Sequence, residues 1–285
     1  MSTILVTGGS GGLGGELVPR LVAAGYGVRV MSRRAAPARL AAGVTWAQGD
    51  LATGEGLAEA VAGVDQIVHA ASQAFKQTQA IDVEGTERLL RLAEQEGVAH
   101  FVYISIVGVD RIPFSYYKYK LAAERLVEAS RLNWSILRAA QFHSFLELLT
   151  SGLARLPLML VPTDFRFQLI ETGEVADVIV RGIEEGWRGR WPDLAGPEVL
   201  TWGEIAQSWL AARGEQRRVV RLPIPGKVGA GFRAGYNTVP ERPAGSITWE
   251  EWVKSEGRRA KSEERGARGG GKREEGRARG EGRVR

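Results

Sequence analysis

Cysteine is absent from all 285 residues. Disulfides, thiolate nucleophiles and cysteine-held zinc or iron–sulfur centres are therefore excluded. Histidine occurs three times, at His69, His100 and His143. No carboxylate cluster at metal-ligand spacing accompanies them, so no metal site is expected. No apolar run approaches the roughly 18 residues of a membrane span. The chain starts Met1-Ser2-Thr3-Ile4-Leu5-Val6-Thr7-Gly8, without a basic segment or a long apolar one. That argues against a secretory signal and for a cytoplasmic location. Gly9-Ser10-Gly11 falls too early for the nucleophile elbow of a serine hydrolase. No Gly-Lys-Ser or Gly-Lys-Thr follows the glycines, so the loop is not that of a P-loop nucleotidase.

The net charge of +5 has one location. Residues 255–285 hold 11 of the 38 basic and 6 of the 33 acidic residues, leaving 27 of each in the first 254. The body is electrically neutral and offers no broad footprint for nucleic acid. The tail also holds 8 of the 37 glycines and almost no apolar side chain. It cannot bury enough surface to offset its ordering entropy, so disorder is expected there. Arg265-Gly266, Arg268-Gly269 and Arg279-Gly280 are similar to RNA-binding arginine–glycine segments. Interspersed glutamates and the lack of any aromatic for base stacking favour a solvated extension instead.

What is present is a repeating pattern. Ile4-Leu5-Val6, Val28 to Met31, Val44 to Ala47, Asp65 to Ala71, Phe101 to Ser105 and Trp134 to Arg138 are short apolar runs that read as strands. Helical spacing lies between them at 12–24, 54–62, 79–97 and 116–131. In the first helix the apolar positions are Leu13, Leu17, Leu21 and Val22, and Pro19 predicts a kink. Strands alternating with helices specify an α/β fold, a doubly wound parallel sheet covered on both faces. Past residue 140 the regularity fades. Helices are expected at 141–156, 174–186 and 201–213, the last with Thr201 and Glu204 as a capping box. Ile247 to Val253 carries the last apolar anchors. The expectation is one domain over 1–254, with a cofactor core to about residue 140 and a small irregular substrate-capping portion after it.

The chemistry starts at Thr7-Gly8-Gly9-Ser10-Gly11-Gly12-Leu13-Gly14, between the first strand and first helix. Gly9, Gly11 and Gly14 fit G-x-G-x-x-G; Gly8, Gly11 and Gly14 fit G-x-x-G-x-x-G. Either way, glycines allow a tight turn and close approach to a pyrophosphate. The helix N-terminus supplies N–H donors. A strand before and a helix after is the context that separates this motif from a flexible turn. The second strand ends in Ser32-Arg33-Arg34, where an acid would bind a ribose 2′-hydroxyl. Two arginines with a serine suit a 2′-phosphate, so NADP is expected over NAD; two solvated loop arginines are the alternative. Asp50-Leu51 either flanks the adenine or makes a turn.

With these residues in view, the chain resembles the atypical short-chain dehydrogenase/reductases, in particular the NmrA-like NAD(P)-binding group. The glycine loop, Ser32-Arg33-Arg34, Gly49-Asp50-Leu51, His69-Ala70-Ala71-Ser72 and Asp82-Val83-Glu84-Gly85-Thr86 carry the likeness. So do Tyr116 to Lys120, Leu137 to Phe142 and Thr248 to Trp252, over residues 3–254 in all. The resemblance implies a Rossmann-like fold, a cofactor seat that includes Ala70 and Ala71, and hydride transfer to a small carbonyl, quinone or related acceptor. It implies Tyr116 as the proton donor or acceptor. Lys120 would hold the nicotinamide ribose and lower the tyrosine pKa, and Ser105 would hold the substrate oxygen. Residues i and i+4 share a helix face, so Tyr116 and Lys120 can serve one site. They can also be ordinary helix-start residues. Asp82 stands where catalytic relatives often carry asparagine. Gln141, Phe142 and His143 follow the sixth strand, on the ligand side of a parallel sheet, and are substrate-pocket candidates. The resemblance adds Gln168. His69 either lines the site or is a hydrogen-bonded strand-end histidine. Some members of the group bind the dinucleotide as redox sensors without catalysing anything, which is the alternative function. The sequence leaves oligomeric state open.

Overall fold

The computed structural model describes residues 1–156 and 158–256. The expected disordered tail lies, from residue 257 on, outside the described residues. A helix over residues 249–256 runs two positions past the expected end at 254.

The strand–helix alternation folds as its pattern dictates. β1 (Thr3–Thr7), α1 (Gly12–Ala23), β2 (Gly27–Ser32), β3 (Val44–Gln48), α2 (Leu57–Val61) and β4 (Gln66–His69) come first. Then follow α3 (Gly85–Gln95), β5 (His100–Ile106), α4 (Ser115–Ala129), β6 (Trp134–Ala139) and α5 (His143–Leu153). β7 (Met159–Val161), β8 (Arg166–Phe167), α6 (Thr172–Glu184), β9 (Gly189–Arg190) and β10 (Leu200–Thr201) lead to α7 (Trp202–Arg213), β11 (Val219–Arg221) and α8 (Gly226–Arg233). Seven strands form one parallel sheet in the order β3-β2-β1-β4-β5-β6-β9. The order reverses between β1 and β4, which opens a crevice at the carboxyl ends of those strands.

Both faces of β1 are covered. Ile4 and Val6 pack with Leu13, Leu17 and Leu21 of α1, while Leu5 faces Leu57, Ile67 and Phe101. α1 runs without interruption through Pro19 and lies against α6, where Arg20 pairs with Glu16 and Asp177. The expected long helix at 79–97 is two elements. Gln79–Glu84 forms a π-helical turn that leads directly into α3. β9 has two residues, too short for any periodicity to announce.

The chain past residue 140 builds a third apolar cluster around Phe165, Phe167, Trp209, Phe232 and Trp249. Two small pairs, β8 with β10 and β7 with β11, stiffen it. The capping box of α7 forms as expected: Thr201 and Glu204 bond each other's backbone N–H. Gln168, a substrate candidate on resemblance, is instead a buried brace. Its Nε2 donates to the Gly196 carbonyl at 2.8 Å, and its Oε1 accepts the Val239 N–H at 2.7 Å.

Trp249 is 1% exposed, and its Nε1 donates to Ser208 Oγ at 2.8 Å. Trp249→Ala should cost about 3–5 kcal/mol, read as a lower urea midpoint. An unchanged midpoint would show that residues 247–253 are not part of the cooperative core.

Candidate cofactor site and reaction centre

Glycine does specific work at two positions of the loop after β1. Gly8 has φ +73°, and a Cβ there would lie 2.8 Å from the Ala71 nitrogen. A Cβ on Gly14 would lie 2.3 Å from the Gly8 carbonyl oxygen, so only glycine lets α1 sit this close to the loop. The Gly11 N–H closes the turn onto the Gly8 carbonyl at 2.9 Å. Gly9 packs against Val30, Gly12 is open, and Leu13 belongs to the core. α1 has no side-chain cap and no acid in its first turn, so its N–H groups remain available to an anion.

A cavity of about 500 Å³ lies beside this helix end. Gly8, Ser10 and Gly11 line it from the loop, and Ser32, Arg33 and Arg34 from the end of β2. Asp50 and Leu51 approach it past β3, and Ala70 to Gln73 past β4. Ser10 Oγ and Ser32 Oγ are 3.3 Å apart. The arginine segment is held by its main chain. The Arg33 carbonyl accepts from Gln48 Nε2 at 3.2 Å, and the Arg34 carbonyl accepts from Trp46 Nε1 at 3.0 Å. Among the described residues neither guanidinium has an ion-pair partner. Asp50 makes a turn, accepting the Ala52 N–H at 2.8 Å, while still bordering the cavity.

Thr7 does not reach the cavity. It starts a buried chain that fixes the His69 tautomer. The Ala71 N–H donates to Thr7 Oγ1 at 3.3 Å, and Thr7 Oγ1 lies 2.6 Å from His69 Nδ1. Thr86 Oγ1 gives its proton to the Asp82 carbonyl at 2.7 Å, so it must accept from His69 Nε2, 2.9 Å away. Nδ1 is then left to accept from Thr7. His69 is fully buried and does not line the site. Burial first, and Lys120 second, push its pKa down to about 3, so it stays neutral.

The chain ends on the π-helical turn, whose Asp82 is 1% exposed. Its carboxylate accepts from Ser72 Oγ, accepts the Gln73 N–H at 3.0 Å, and lies 3.8 Å from Lys120 Nζ. Ser72 Oγ is also 2.6 Å from the Tyr116 hydroxyl. Lys120 Nζ donates to the Ile104 carbonyl at 2.8 Å and sits 4.3 Å above the Tyr103 ring. Burial lowers the Lys120 pKa, against the pull of Asp82 and Glu124. The Tyr116 phenol is pushed up, by burial and then by Asp82, with Ser72 opposing. The expected lowering of Tyr116 by Lys120 is therefore not what this arrangement produces.

The remaining candidates are scattered. Ser105 is 3% exposed and lies under α4 beside Glu124, away from the cavity. Burial would raise Glu124, but Arg138, Ser105 and Arg190 hold it below the usual carboxylate range. Gln141 donates to the buried Tyr117 hydroxyl at 3.0 Å, and half-buried Phe142 precedes α5. His143 is not at an open pocket: it is 1% exposed, with its ring 5.9 Å from Trp249 and 5.5 Å from Trp252. Ser72 and Gln73, absent from the site expected on sequence, follow directly from Ala70-Ala71 in the cavity wall.

Residues 8–185 match the model of an NAD(P)H-binding family, and the chain belongs to it. The class is thus an NAD(P)-binding family of the NmrA-like, atypical short-chain dehydrogenase/reductase kind. The chain is 31% identical over 156 residues to a 3-beta-hydroxysteroid dehydrogenase of Mycolicibacterium neoaurum, a match over 45% of this chain and 43% of that one's length. It is 27% identical over 228 residues to an NAD(P)H azoreductase of Xenophilus azovorans, covering 78% of this chain and 77% of the relative. An NADPH-dependent quinone oxidoreductase of Escherichia coli, solved with NADPH, shares the fold with a TM-score of 0.73. The two are 18% identical, over 88% of this chain and 99% of the other. No helix among the described residues is long and apolar enough to cross a membrane.

Burial pulls the His143 pKa down to about 4 from 6.5. The folded chain then binds fewer protons than the unfolded one in that interval. This contribution to stability is complete above pH 6.5 and is lost as pH falls toward 4. His143→Phe keeps the stack on Trp249 and Trp252. It should match the parent at pH 7 and lose less stability at pH 5 in urea titrations. Equal losses in both proteins would show that His143 does not titrate as described.

Proposed function

We propose that the protein is an NADP-dependent reductase of the atypical short-chain type, acting on a small carbonyl, quinone or related acceptor. The observation that carries the nucleotide choice is the end of β2, where Ser32, Arg33 and Arg34 border the cavity and no acid is present. Unpaired guanidiniums recognise a phosphate through charge-assisted, forked hydrogen bonds. Gly8 to Gly14 and the open end of α1 would hold the pyrophosphate, and Ala70 and Ala71 would flank the nucleotide. Lys120 would lie on the ribose side of the nicotinamide. When bound, the reduced nicotinamide supplies a hydride.

The chain's own part is the proton. The Tyr116 hydroxyl, held 2.6 Å from Ser72 Oγ at the edge of the cavity, is assigned as the group that gives its proton to the acceptor oxygen. Gln141 and Phe142 are assigned to the acceptor side, with the chain past residue 140 closing over the nicotinamide end. One observation favours a second reading, a non-catalytic NADP redox sensor: Tyr116 and Lys120 are held by different partners, Ser72 and the Ile104 carbonyl.

Fluorescence titration with NADPH and with NADH tests the nucleotide assignment. Arg33→Ala/Arg34→Ala should weaken NADPH binding by on the order of 10-fold or more, the worth of one to two charged hydrogen bonds, and leave NADH binding nearly unchanged. Equal loss for both nucleotides would sink the 2′-phosphate assignment. Tyr116→Phe should abolish NADPH consumption on a carbonyl and quinone panel while keeping NADPH affinity. A wild-type protein that binds NADPH but turns over nothing on that panel decides for the sensor.

A further inference from the structure

We propose that Ser72, rather than Ser105, is the hydroxyl that works beside Tyr116, and that Asp82 is the residue that positions it. The proposal rests on the reductase reading above. Ser105 lies on the same side of β5 as Phe101 and Tyr103, under α4, and is closed to any acceptor. Ser72 is exposed in the wall of the nucleotide cavity and touches Tyr116. It is the side chain that joins the cavity to the phenol.

The direction of each bond follows from proton counting. A serine hydroxyl has one proton, and Asp82, which accepts only, takes it. Ser72 Oγ is therefore left as an acceptor toward Tyr116, and the phenol proton points at it across 2.6 Å. Asp82 is itself fixed from three sides, by the Gln73 N–H, by Lys120 and by the Thr86 bond to its carbonyl. Ser72 is thus aimed by a group buried behind it. An acceptor oxygen brought to this point takes the place of Ser72 Oγ as the partner of the phenol proton, which turns from the serine toward it. The bound reduced nicotinamide would supply the hydride; the Tyr116 O–H bond breaks as the acceptor O–H bond forms, Ser72 turns its proton from Asp82 to the phenolate, and solvent at exposed Ser72 replaces that proton. Asp82 touches no reacting atom and acts through Ser72 and Lys120.

Two measurements on the full chain test this. The first needs no cofactor. With tyrosine labelled at Cζ by carbon-13, the Tyr116 resonance is assigned by its loss in Tyr116→Phe. Ser72→Ala should shift that resonance and leave those of Tyr103 and Tyr117 in place. The second is NADPH consumption on the quinone panel. Ser72→Ala should lower kcat by on the order of 10- to 100-fold with NADPH affinity within about 3-fold of the parent. Ser72→Thr, which keeps the hydroxyl, should recover most of that loss, and Asp82→Asn should lower kcat like Ser72→Ala. Ser105→Ala should lose less than Ser72→Ala. An unmoved Tyr116 resonance, an unchanged kcat, no recovery with threonine, or a parallel loss of NADPH affinity each overturns the proposal while leaving the reductase reading intact. A wild-type chain that consumes no NADPH overturns both.

Discussion

The buried hydrogen-bond chain through His69 sets the geometry of the site. It begins at the Ala71 amide, beside the glycine loop, and ends at the Asp82 carbonyl, beneath the reaction centre. Each link uses the one proton the previous link leaves free, so the chain has a single direction and a single tautomer. A neutral imidazole is required at its middle, and full burial supplies it. The glycine-loop end of the crevice and the Ser72–Tyr116 end are consequently not independent. A shift of β4 against the π-helical turn would break bonds at both.

The electrostatics are divided in the same economical way. The cavity end presents positive character through an uncapped helix terminus and two guanidiniums without an ion-pair partner among the described residues. The Ser72–Tyr116 end holds buried Lys120 and Asp82 close together, where each limits the desolvation cost of the other. Away from the crevice, Arg138 and Arg190 neutralise the fully buried Glu124.

How much of this was legible in the sequence depended on the range of the interaction. The strand–helix alternation and the glycine spacing are local, and both read correctly. The capping box of α7 is local too. Ser105 is a different case. Its parity on β5, shared with the core residues Phe101 and Tyr103, places it under a helix, whereas the resemblance had placed it at the substrate oxygen. Ser72 and Asp82 meet only because the π-helical turn brings residue 82 back to the loop after β4, which no spacing announces. His143 read as a pocket residue because it follows a strand end. It is covered by Trp249 and Trp252, more than a hundred positions away.

A π-helical turn holds its residues in a wider ring than an α-helix does, and Gln79–Glu84 places Asp82 by that extra width. Removing one residue from the segment would let it relax to α geometry and turn every side chain before the change by about 100° around the axis. Asp82 would then leave Ser72 and Lys120 with its chemistry unaltered. In this chain, a change of length between β4 and Gly85 would undo the placement of Asp82 as readily as a change of residue. The number of residues between His69 and Gly85 is thus as much a part of the site as the residues themselves.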